Sequence, residues 1–169
     1  MIKFRLYYDK DKEENFLNNM VKKGYAMKSF FLGLYTFEKC EPNEYTYRVD
    51  LIKDKSQKEL EEYIELITET GAEYIQRWGV WAIFRKKGEF ELYTDVESNI
   101  DQYSKIKTMF LALSILELCM VPLQVINYIN YKQGISLFAA ILLISVSLTF
   151  LIQVIKCNAK INKLKRNNK

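Results

Sequence analysis

Residues 135–155 read ISLFAAILLISVSLTFLIQVI, and this stretch decides the class of protein to which the chain belongs. It contains 21 residues and no charged side chain. A helix rises 1.5 Å per residue, so this one would be about 31 Å long, and the hydrocarbon core of a bilayer is roughly 30 Å thick. Apolar residues occur on all sides of such a helix, whereas a surface helix of a soluble protein has one apolar face. The sequence therefore predicts a transmembrane helix.

A second apolar stretch lies directly before the first. Residues 108–131 form 24 positions with a single charge, Glu117. The segment Lys132-Gln133-Gly134 separates the two stretches, and a turn at this point would join them in a two-helix transmembrane hairpin. Lys132 is then the only charged residue in the loop.

Basic residues are distributed unequally around the predicted hairpin. Lys105 and Lys107 precede the first span. Six basic residues and no acidic residue follow the second span, namely Lys156, Lys160, Lys163, Lys165, Arg166 and Lys169. Cytoplasmic flanks of membrane spans are enriched in Lys and Arg. We therefore predict a multi-pass protein of the cell membrane with two spans and both termini in the cytoplasm.

The basic tail, residues 156–169, also explains the net charge of +4. Through Lys107 the chain has 18 Lys and Arg residues against 20 Asp and Glu residues. A basic run after an apolar stretch is placed to bind anionic lipid headgroups, whereas a nucleic-acid-binding protein spreads positive charge over a folded face. The pattern predicts that the tail binds lipid headgroups and that the chain does not bind nucleic acid.

Glu117 lies near the middle of the first predicted span, where an ionised carboxylate costs about 3 kcal/mol. Ser114, Gln124 and Asn127 lie at spacings that place them on the same helical face, so the four residues form a polar stripe. One interpretation is that the stripe packs against the second span or another copy of the chain. The other is that Glu117 contacts a partner or senses protons.

The front part of the chain shows a strand-helix-strand-strand pattern. Apolar or aromatic residues alternate with other residues at Ile2, Phe4, Leu6 and Tyr8, as in a strand with one apolar face. Asp9 or Asp11 can cap the following helix, and Gly24 can end it. Residues 25–39 then have the pattern of a hairpin around Gly33.

The same pattern returns after an offset of 47 residues. Residues 45–51 alternate as a strand, and Ser56-Gln57-Lys58-Glu59 has the form of a capping box at the start of a helix. Gly71 ends that helix, and residues 73–86 predict a second hairpin. Residues 90–93 predict a short additional strand. We interpret this internal repeat as shared architecture, with duplication of one segment as its origin.

Together these patterns predict an α+β fold. Two tandem strand-helix-strand-strand halves would form a ferredoxin-like antiparallel sheet with two helices on one face, followed by the transmembrane hairpin. The predicted organisation is a cytoplasmic domain over 1–94, a linker helix over 95–107, spans over 108–131 and 135–155, and a basic cytoplasmic tail over 156–169.

Three blocks in the front part resemble the motifs of one family. The first block, residues 11–25, reads DKEENFLNNMVKKGY, and the second, residues 37–50, reads FEKCEPNEYTYRVD. The third block comprises Gly71, Trp78, Trp81, Phe84 and Arg85. Over about residues 1–95 the chain resembles the DUF2812 family. The resemblance implies a C-terminal transmembrane pair in many members, no established activity, and genes often adjacent to those of PadR-type transcriptional regulators.

Six residues are candidates for a binding surface: Arg5, Tyr47, Arg48, Asp50, Trp78 and Trp81. Arg48 and Asp50 share the polar face of a predicted strand, where they could bind a charged group or form cross-strand ion pairs in solvent. The two tryptophans, together with Tyr35 and Tyr47, could line a pocket or pack in the core.

Several chemistries lack the residues that they need. The chain has no histidine, and its cysteines, Cys40, Cys119 and Cys157, lack the spacing of a metal site or a disulfide framework. Walker A, GxSxG and HExxH motifs do not occur. We therefore predict no catalytic, cofactor-binding or metal site.

The leading functional hypothesis is a membrane-anchored regulatory, sensory or adaptor module that binds a protein or a membrane-active ligand. The partner of such a module would be another protein or a second copy. A second hypothesis is an accessory or immunity subunit of a membrane transporter, with Glu117 as the contact in the membrane. A third is a membrane-tethered enzyme.

Overall fold

The computed structural model describes residues 1–7, 9–53 and 55–167. Predictions that involve Tyr8 and Lys169 lie outside the described residues. The chain divides into two compact units, Met1–Thr94 and Asp95–Lys169.

The first unit has the order strand-helix-strand-strand twice. Its elements in chain order are β1 (Ile2–Phe4), α1 (Lys10–Lys22), β2 (Tyr25–Phe31), β3 (Leu34–Lys39), β4 (Tyr45–Leu51), α2 (Gln57–Glu69), β5 (Glu73–Trp78) and β6 (Trp81–Lys87). The β-bulges also lie at corresponding positions, after Met27 in β2 and after Tyr74 in β5. The α+β class and the tandem halves are confirmed, while an origin by duplication stays a prediction.

Local signals fix the ends of both helices. The Asp9 side chain accepts a hydrogen bond from the backbone N–H of Lys12, and Ser56 and Glu59 form the reciprocal bonds of a capping box. After each helix a glycine has the left-handed conformation, with φ of 78° at Gly24 and 85° at Gly71. A residue with a Cβ would be strained at either position.

The strands form two antiparallel sheets rather than one ferredoxin-like sheet. The first sheet has the order β1-β3-β2, and the second has the order β4-β6-β5. The Gln76 side chain joins them, because its amide donates to the Phe30 carbonyl oxygen at 2.8 Å and its oxygen accepts from the Phe30 backbone N–H at 2.7 Å. A side-chain amide here pairs with the strand edge as a backbone peptide group would.

The two helices also do not share one sheet face. Leu17 of α1 packs in a cluster with Phe37 of the first sheet and Ile83 of the second. Leu60 of α2 packs with Phe84 in a separate cluster. Neighbouring residues of a strand point to opposite faces, so the two helices cover opposite faces of the second sheet. The prediction that both helices lie on one sheet face is therefore wrong. Both faces of the second sheet carry apolar residues, so each face packs against a different helix.

Residues 90–93 form no strand. Phe90 packs in the α2 cluster, and the Tyr93 hydroxyl donates to Asp50. Side chains rather than a backbone ladder therefore attach this segment to the second sheet.

The second unit is a hairpin of two long helices, α3 (Val96–Tyr131) and α4 (Gly134–Asn167). Both are long and apolar enough to cross a membrane. Each is continuous, so the predicted boundaries at 107/108 and 155/156 lie inside helices. Lys132, not Gly134, takes the left-handed conformation between them, with φ of 53°.

Candidate functional site

A cavity of about 250 Å³ lies in the first unit, beside the β2–β3 and β5–β6 hairpins. Its wall contains one acidic side chain, Glu13, and five aromatic side chains, which are Tyr7, Phe30, Tyr35, Trp78 and Trp81. We refer to it as the aromatic cavity. Small-molecule sites are typically concave and mostly apolar with few polar groups, and this cavity has that composition.

The strand register explains why the aromatic residues meet. Trp78 and Trp81 are opposite each other across the β5–β6 hairpin, and Phe30 and Tyr35 are opposite each other across the β2–β3 hairpin. Directly opposed residues lie on the same face of a sheet. The Phe30 ring contacts Tyr35 at a centroid distance of 4.5 Å and Trp78 at 5.3 Å, so the two hairpins contribute to one wall.

Glu13 is the polar group of the aromatic cavity. Its carboxylate accepts a hydrogen bond of 2.6 Å from the Tyr35 hydroxyl. Burial raises the pKa of Glu13, the Tyr35 hydrogen bond lowers it, and the neighbouring Glu14 raises it further. Burial and the Glu13 charge raise the pKa of the Tyr35 hydroxyl. In such a site the carboxylate can stabilise a cation by its charge, and the surrounding aromatic rings can stabilise it by cation–π contact.

The predicted binding surface is not one surface. Of its six residues, Trp78 and Trp81 share the aromatic cavity. Tyr47 and Asp50 are buried, with exposed fractions of 0% and 1%. Asp50 accepts hydrogen bonds from the hydroxyls of Tyr63 at 2.6 Å and Tyr93 at 2.9 Å. The prediction that Asp50 is on an open polar face is wrong, because these two tyrosines enclose it.

Tyr47 has a structural position in the core. Its hydroxyl accepts from the backbone N–H of Met27 and donates to the Met27 carbonyl oxygen. These bonds connect the second sheet to β2, and burial raises the pKa of the phenol. Of the tyrosines considered for a pocket, Tyr35 therefore lies at the aromatic cavity and Tyr47 does not.

Arg48 and Arg5 lie in different places. Arg48 forms an ion pair with Glu91 and donates to the Tyr47 carbonyl oxygen. Arg5 lines a groove of about 490 Å³ between β1 and α1. Four cationic side chains and two amides line this basic groove, namely Lys3, Arg5, Lys12, Lys23, Asn15 and Asn19.

Only the N-terminal member of the polar stripe, Ser114, packs fully against α4. Ser114 is fully buried, and its hydroxyl is 2.7 Å from the Ser147 hydroxyl of α4. Glu117, Gln124 and Asn127 are half-buried. The Glu117 Oε2 atom is buried and has no hydrogen-bond partner among the described residues. The packing interpretation thus accounts for Ser114 but not for the Glu117 carboxylate.

The basic tail is helical as far as Asn167. Cys157 and Ile161 are buried along one side of it. The charged side chains lie mostly elsewhere on the helix, and Lys160 is over the Tyr103 ring at 5.4 Å. Within the described ranges, no group of three or more Cys, Asp or Glu residues could hold a metal ion.

The sequence interpretation missed Glu13 and Phe30. A usable signal existed for Glu13, because it lies three and four residues before Phe16 and Leu17 of the buried helical stripe. Spacings of three and four place it on the same helical face as those residues. No local pattern marked Phe30, since its position at the cavity depends on contact between two hairpins.

Comparison with protein-family models gave one match. Neither the curated proteins nor the solved structures gave a match. The family model described as protein of unknown function (DUF2812) matches residues 9–115. The matched segment covers both halves of the first unit from Asp9 onward and continues into α3. Because it includes well over half of the 169 residues, the chain belongs to the DUF2812 family.

Proposed function

We propose that this protein is a membrane-anchored sensory or regulatory module whose first unit binds a small aromatic or amphipathic cation in the aromatic cavity. The observation that carries the proposal is a single carboxylate, Glu13, in a wall of five aromatic side chains. Aromatic faces recognise cations, and amphipathic cations are a common class of membrane-active molecules. The proposal thus makes the predicted membrane-active ligand specific in charge and shape.

The second unit supports membrane anchoring. Within the two apolar stretches many outward side chains are large and apolar, with exposed fractions of 61% at Leu116, 66% at Phe138 and 68% at Ile155. Contiguous apolar surface of this kind marks a membrane or protein interface. We assign residues 108–131 of α3 and 135–155 of α4 as the two spans, and we place both termini in the cytoplasm on the distribution of Lys and Arg.

Reporter fusions test this topology. Green fluorescent protein fused to either terminus should fluoresce, because it matures in the cytoplasm, and alkaline phosphatase inserted after Lys132 should be active outside. Phosphatase activity from a C-terminal fusion would contradict the assigned orientation.

Trp78 and Trp81 provide an intrinsic probe for ligand binding. They are the only tryptophans in the chain, and both line the aromatic cavity. Benzyltrimethylammonium is a compact aromatic cation, and neopentylbenzene has the same shape without the charge. Titration of the purified full chain with the cation should produce a saturable change in tryptophan emission. The uncharged compound should bind more weakly.

Variants separate the two contributions to binding. Glu13→Gln keeps an acceptor for the Tyr35 hydroxyl and removes the charge, so it should weaken binding of the cation and leave binding of neopentylbenzene unchanged. Glu65→Gln, on the exposed side of α2, is the matched control. Absence of a saturable signal, or equal cation affinity in wild type and Glu13→Gln, would refute the proposed ligand class.

The regulatory part of the proposal rests on the family resemblance, which links members to PadR-type regulators. If the protein regulates, deletion of its gene should change transcription of a neighbouring operon when the cation is added to cells. An unchanged transcript profile with and without the cation would argue against regulation.

One observation favours the accessory-subunit alternative. The buried Oε2 atom of Glu117 has no hydrogen-bond partner among the described residues. A cationic or hydrogen-bonding group from another membrane protein could satisfy it. Purification from membranes in mild detergent, with partners identified by mass spectrometry, would distinguish a transporter partner from a soluble regulator.

A further inference from the structure

We propose that the basic groove between β1 and α1 is a binding site for an elongated organic phosphate. The phosphate groups contact the cations of the two walls, and the apolar part of the ligand lies on the floor between them. The proposal does not rest on the proposed function. The basic groove and the aromatic cavity have Tyr7 in common, but the charged side chains that line them differ in sign.

One wall of the basic groove is a stripe along α1. The stripe consists of two lysines, two asparagines and two apolar residues, namely Lys12, Asn15, Phe16, Asn19, Met20 and Lys23. Their spacings of three and four residues place them on one face of the helix. Lys12 lies in the first turn and Lys23 is the C-terminal cap, so the two lysines are about 16 Å apart along the helix axis.

The other wall is formed by β1 and the residues that follow it. Lys3, Arg5 and Tyr7 occupy alternate positions, and all three line the groove. Lys3 is opposite Tyr35, which belongs to the core cluster beneath α1, so this row lies on the α1 side of the first sheet. Two residues of a strand span about 7 Å. Both walls therefore bring two cations each to one groove.

The positive charge of the groove is not neutralised by the chain itself. None of its four cations forms an ion pair with a residue that the structure describes, and none of the described lining residues is acidic. By contrast, Arg48, Arg85 and Lys87 of the second sheet each form an ion pair with a glutamate. A cleft lined by charges of one sign concentrates ligands of the opposite sign. The ligand of this groove is therefore an anion.

The groove also has polar and apolar groups that an inorganic anion does not need. The exposed amides of Asn15 and Asn19 can donate to a phosphate oxygen or pair with a polar group of the ligand. Between them, Phe16 is half-buried and Met20 is buried. The Tyr7 ring is 5.4 Å from the Phe16 ring, so these three residues form an apolar floor. An anion with an organic part fits this lining.

Size and chemistry favour an elongated phosphate. The groove volume of about 490 Å³ lies within the usual range for small-molecule sites. One phosphate group cannot contact cations about 16 Å apart, so the ligand has anionic groups at separate points. Phosphate presents three strong acceptor oxygens and a charge between about −1.5 and −2. It therefore satisfies several cationic donors at once, whereas a carboxylate has two oxygens and a single charge.

The test is calorimetric titration of the purified full chain in an uncharged detergent without magnesium. Three probes separate the contributions: adenosine triphosphate, tripolyphosphate and inorganic phosphate. Adenosine triphosphate has a phosphate chain and an apolar ring, and it should bind saturably. Tripolyphosphate lacks the organic part and should bind more weakly, and inorganic phosphate should bind most weakly.

A charge-reversal variant identifies the site. Lys12→Glu combined with Lys23→Glu should weaken binding of adenosine triphosphate at least about tenfold, because a single ionic hydrogen bond is worth about that factor. Lys12→Arg combined with Lys23→Arg should retain binding. The matched control is Lys22→Glu combined with Lys58→Glu, since both lysines are exposed and neither lines the groove. The thermal midpoint of each variant verifies that it is folded.

A second measurement distinguishes a soluble phosphate from a lipid headgroup. The full chain is placed in nanodiscs of phosphatidylcholine, with and without cardiolipin, whose headgroup carries two phosphate groups. Amide hydrogen exchange is followed over residues 10–23. Saturable binding of adenosine triphosphate in detergent assigns the groove to a soluble organic phosphate. Slower exchange with cardiolipin that is lost in the Lys12→Glu and Lys23→Glu variant, without binding of adenosine triphosphate, assigns it to a lipid headgroup.

Four results would overturn the proposal. The first is the absence of both adenosine triphosphate binding and cardiolipin protection. The second is binding or protection that survives the double charge reversal. The third is inorganic phosphate or tripolyphosphate binding as tightly as adenosine triphosphate. The fourth is tighter binding of a penta-aspartate peptide, which would assign the groove to an acidic protein segment. Benzyltrimethylammonium titration of the same preparation reports the aromatic cavity, so failure at one site is distinguishable from failure at the other.

Discussion

At Glu13, a half-buried carboxylate accepts a hydrogen bond from Tyr35 while burial raises its pKa. The raised pKa means that the folded state binds more protons than the unfolded state between the two pKa values. The free energy of unfolding therefore decreases as pH rises through the folded pKa. The ionised Glu13 that we propose binds a cation would thus lower the free energy of unfolding at neutral pH when the aromatic cavity is empty.

We expect Glu13→Gln to be more stable than wild type at neutral pH and less dependent on pH. The measurement is the thermal midpoint between about pH 4 and 8, a range that includes the ordinary carboxyl pKa. Glu59 is a control of opposite sign, since hydrogen bonds with Ser56 lower its pKa. The stabilisation that Glu59 gives to the folded state is present above the unfolded pKa and is lost as pH falls through the folded pKa. A thermal midpoint of Glu13→Gln below that of wild type at neutral pH would contradict the expectation.

Glu117 yields the second prediction at this scale. Glu117→Gln keeps the size and hydrogen-bonding capacity of the side chain, and Glu117→Leu inserts into a bilayer more easily than Glu. We expect normal membrane levels for both variants and reduced recovery of a protein partner with Glu117→Leu. Partner recovery in mild detergent, quantified against wild type, provides the measurement. Equal recovery of every partner would show that the carboxylate does not serve a partner.

At the scale of elements, helix α1 closes the free edge of β4. The Asn18 side chain accepts from the Tyr47 backbone N–H at 2.7 Å and donates to the Tyr47 carbonyl oxygen at 3.2 Å. The Glu14 carboxylate accepts from the Val49 N–H at 2.8 Å. An edge strand otherwise presents unpaired backbone groups, so these side chains take the place of a further strand.

Asn18→Ala should therefore destabilise the first unit by about 1–3 kcal/mol, the usual cost of leaving a buried donor without a partner, because the Tyr47 N–H loses its acceptor while the Tyr47 carbonyl oxygen keeps its bond from Arg48. Asn19→Ala is the matched control, because the neighbouring Asn19 is exposed and lines the basic groove. Urea unfolding of the full chain, followed by tryptophan emission, reports the first unit, where both tryptophans lie. Equal effects of the two substitutions would show that the edge contacts contribute little.

At the scale of the whole molecule, both core clusters lie within residues 1–94. The first unit therefore contains the apolar contacts needed for its own core. The second unit is a helix pair with small residues at its contact, including Ser136, Ala140 and Ser147. Small residues allow close approach of helices in lipid.

We expect the fragment 1–94 to fold without the hairpin. Expression of the fragment in soluble form and a cooperative thermal transition by circular dichroism would confirm it. The Asn18→Ala fragment should melt at a lower temperature, which provides an internal check that the transition reports native packing. Recovery of the fragment only as aggregate, or a fragment without a transition, would show that the hairpin completes the core.

The sequence by itself determined the features that arise from neighbouring residues. The apolar stretch 135–155 required a long apolar helix, and Ser56 with Glu59 fixed the start of α2, because both depend on a few consecutive positions. Alternation along 45–51 likewise located β4. These features follow from local hydrogen bonding and periodicity, so they could be predicted without knowledge of distant contacts.

Tertiary structure decided which faces meet. Asp50 has the alternation of an exposed residue, yet Tyr63 and Tyr93 enclose it from segments 13 and 43 residues away. The connection between the two sheets depends on Gln76 and Phe30, and the aromatic cavity depends on Glu13, Tyr35 and two hairpins. Contacts between distant segments select among the partners that a local pattern leaves open, because burial and hydrogen bonding are settled only when those segments pack together.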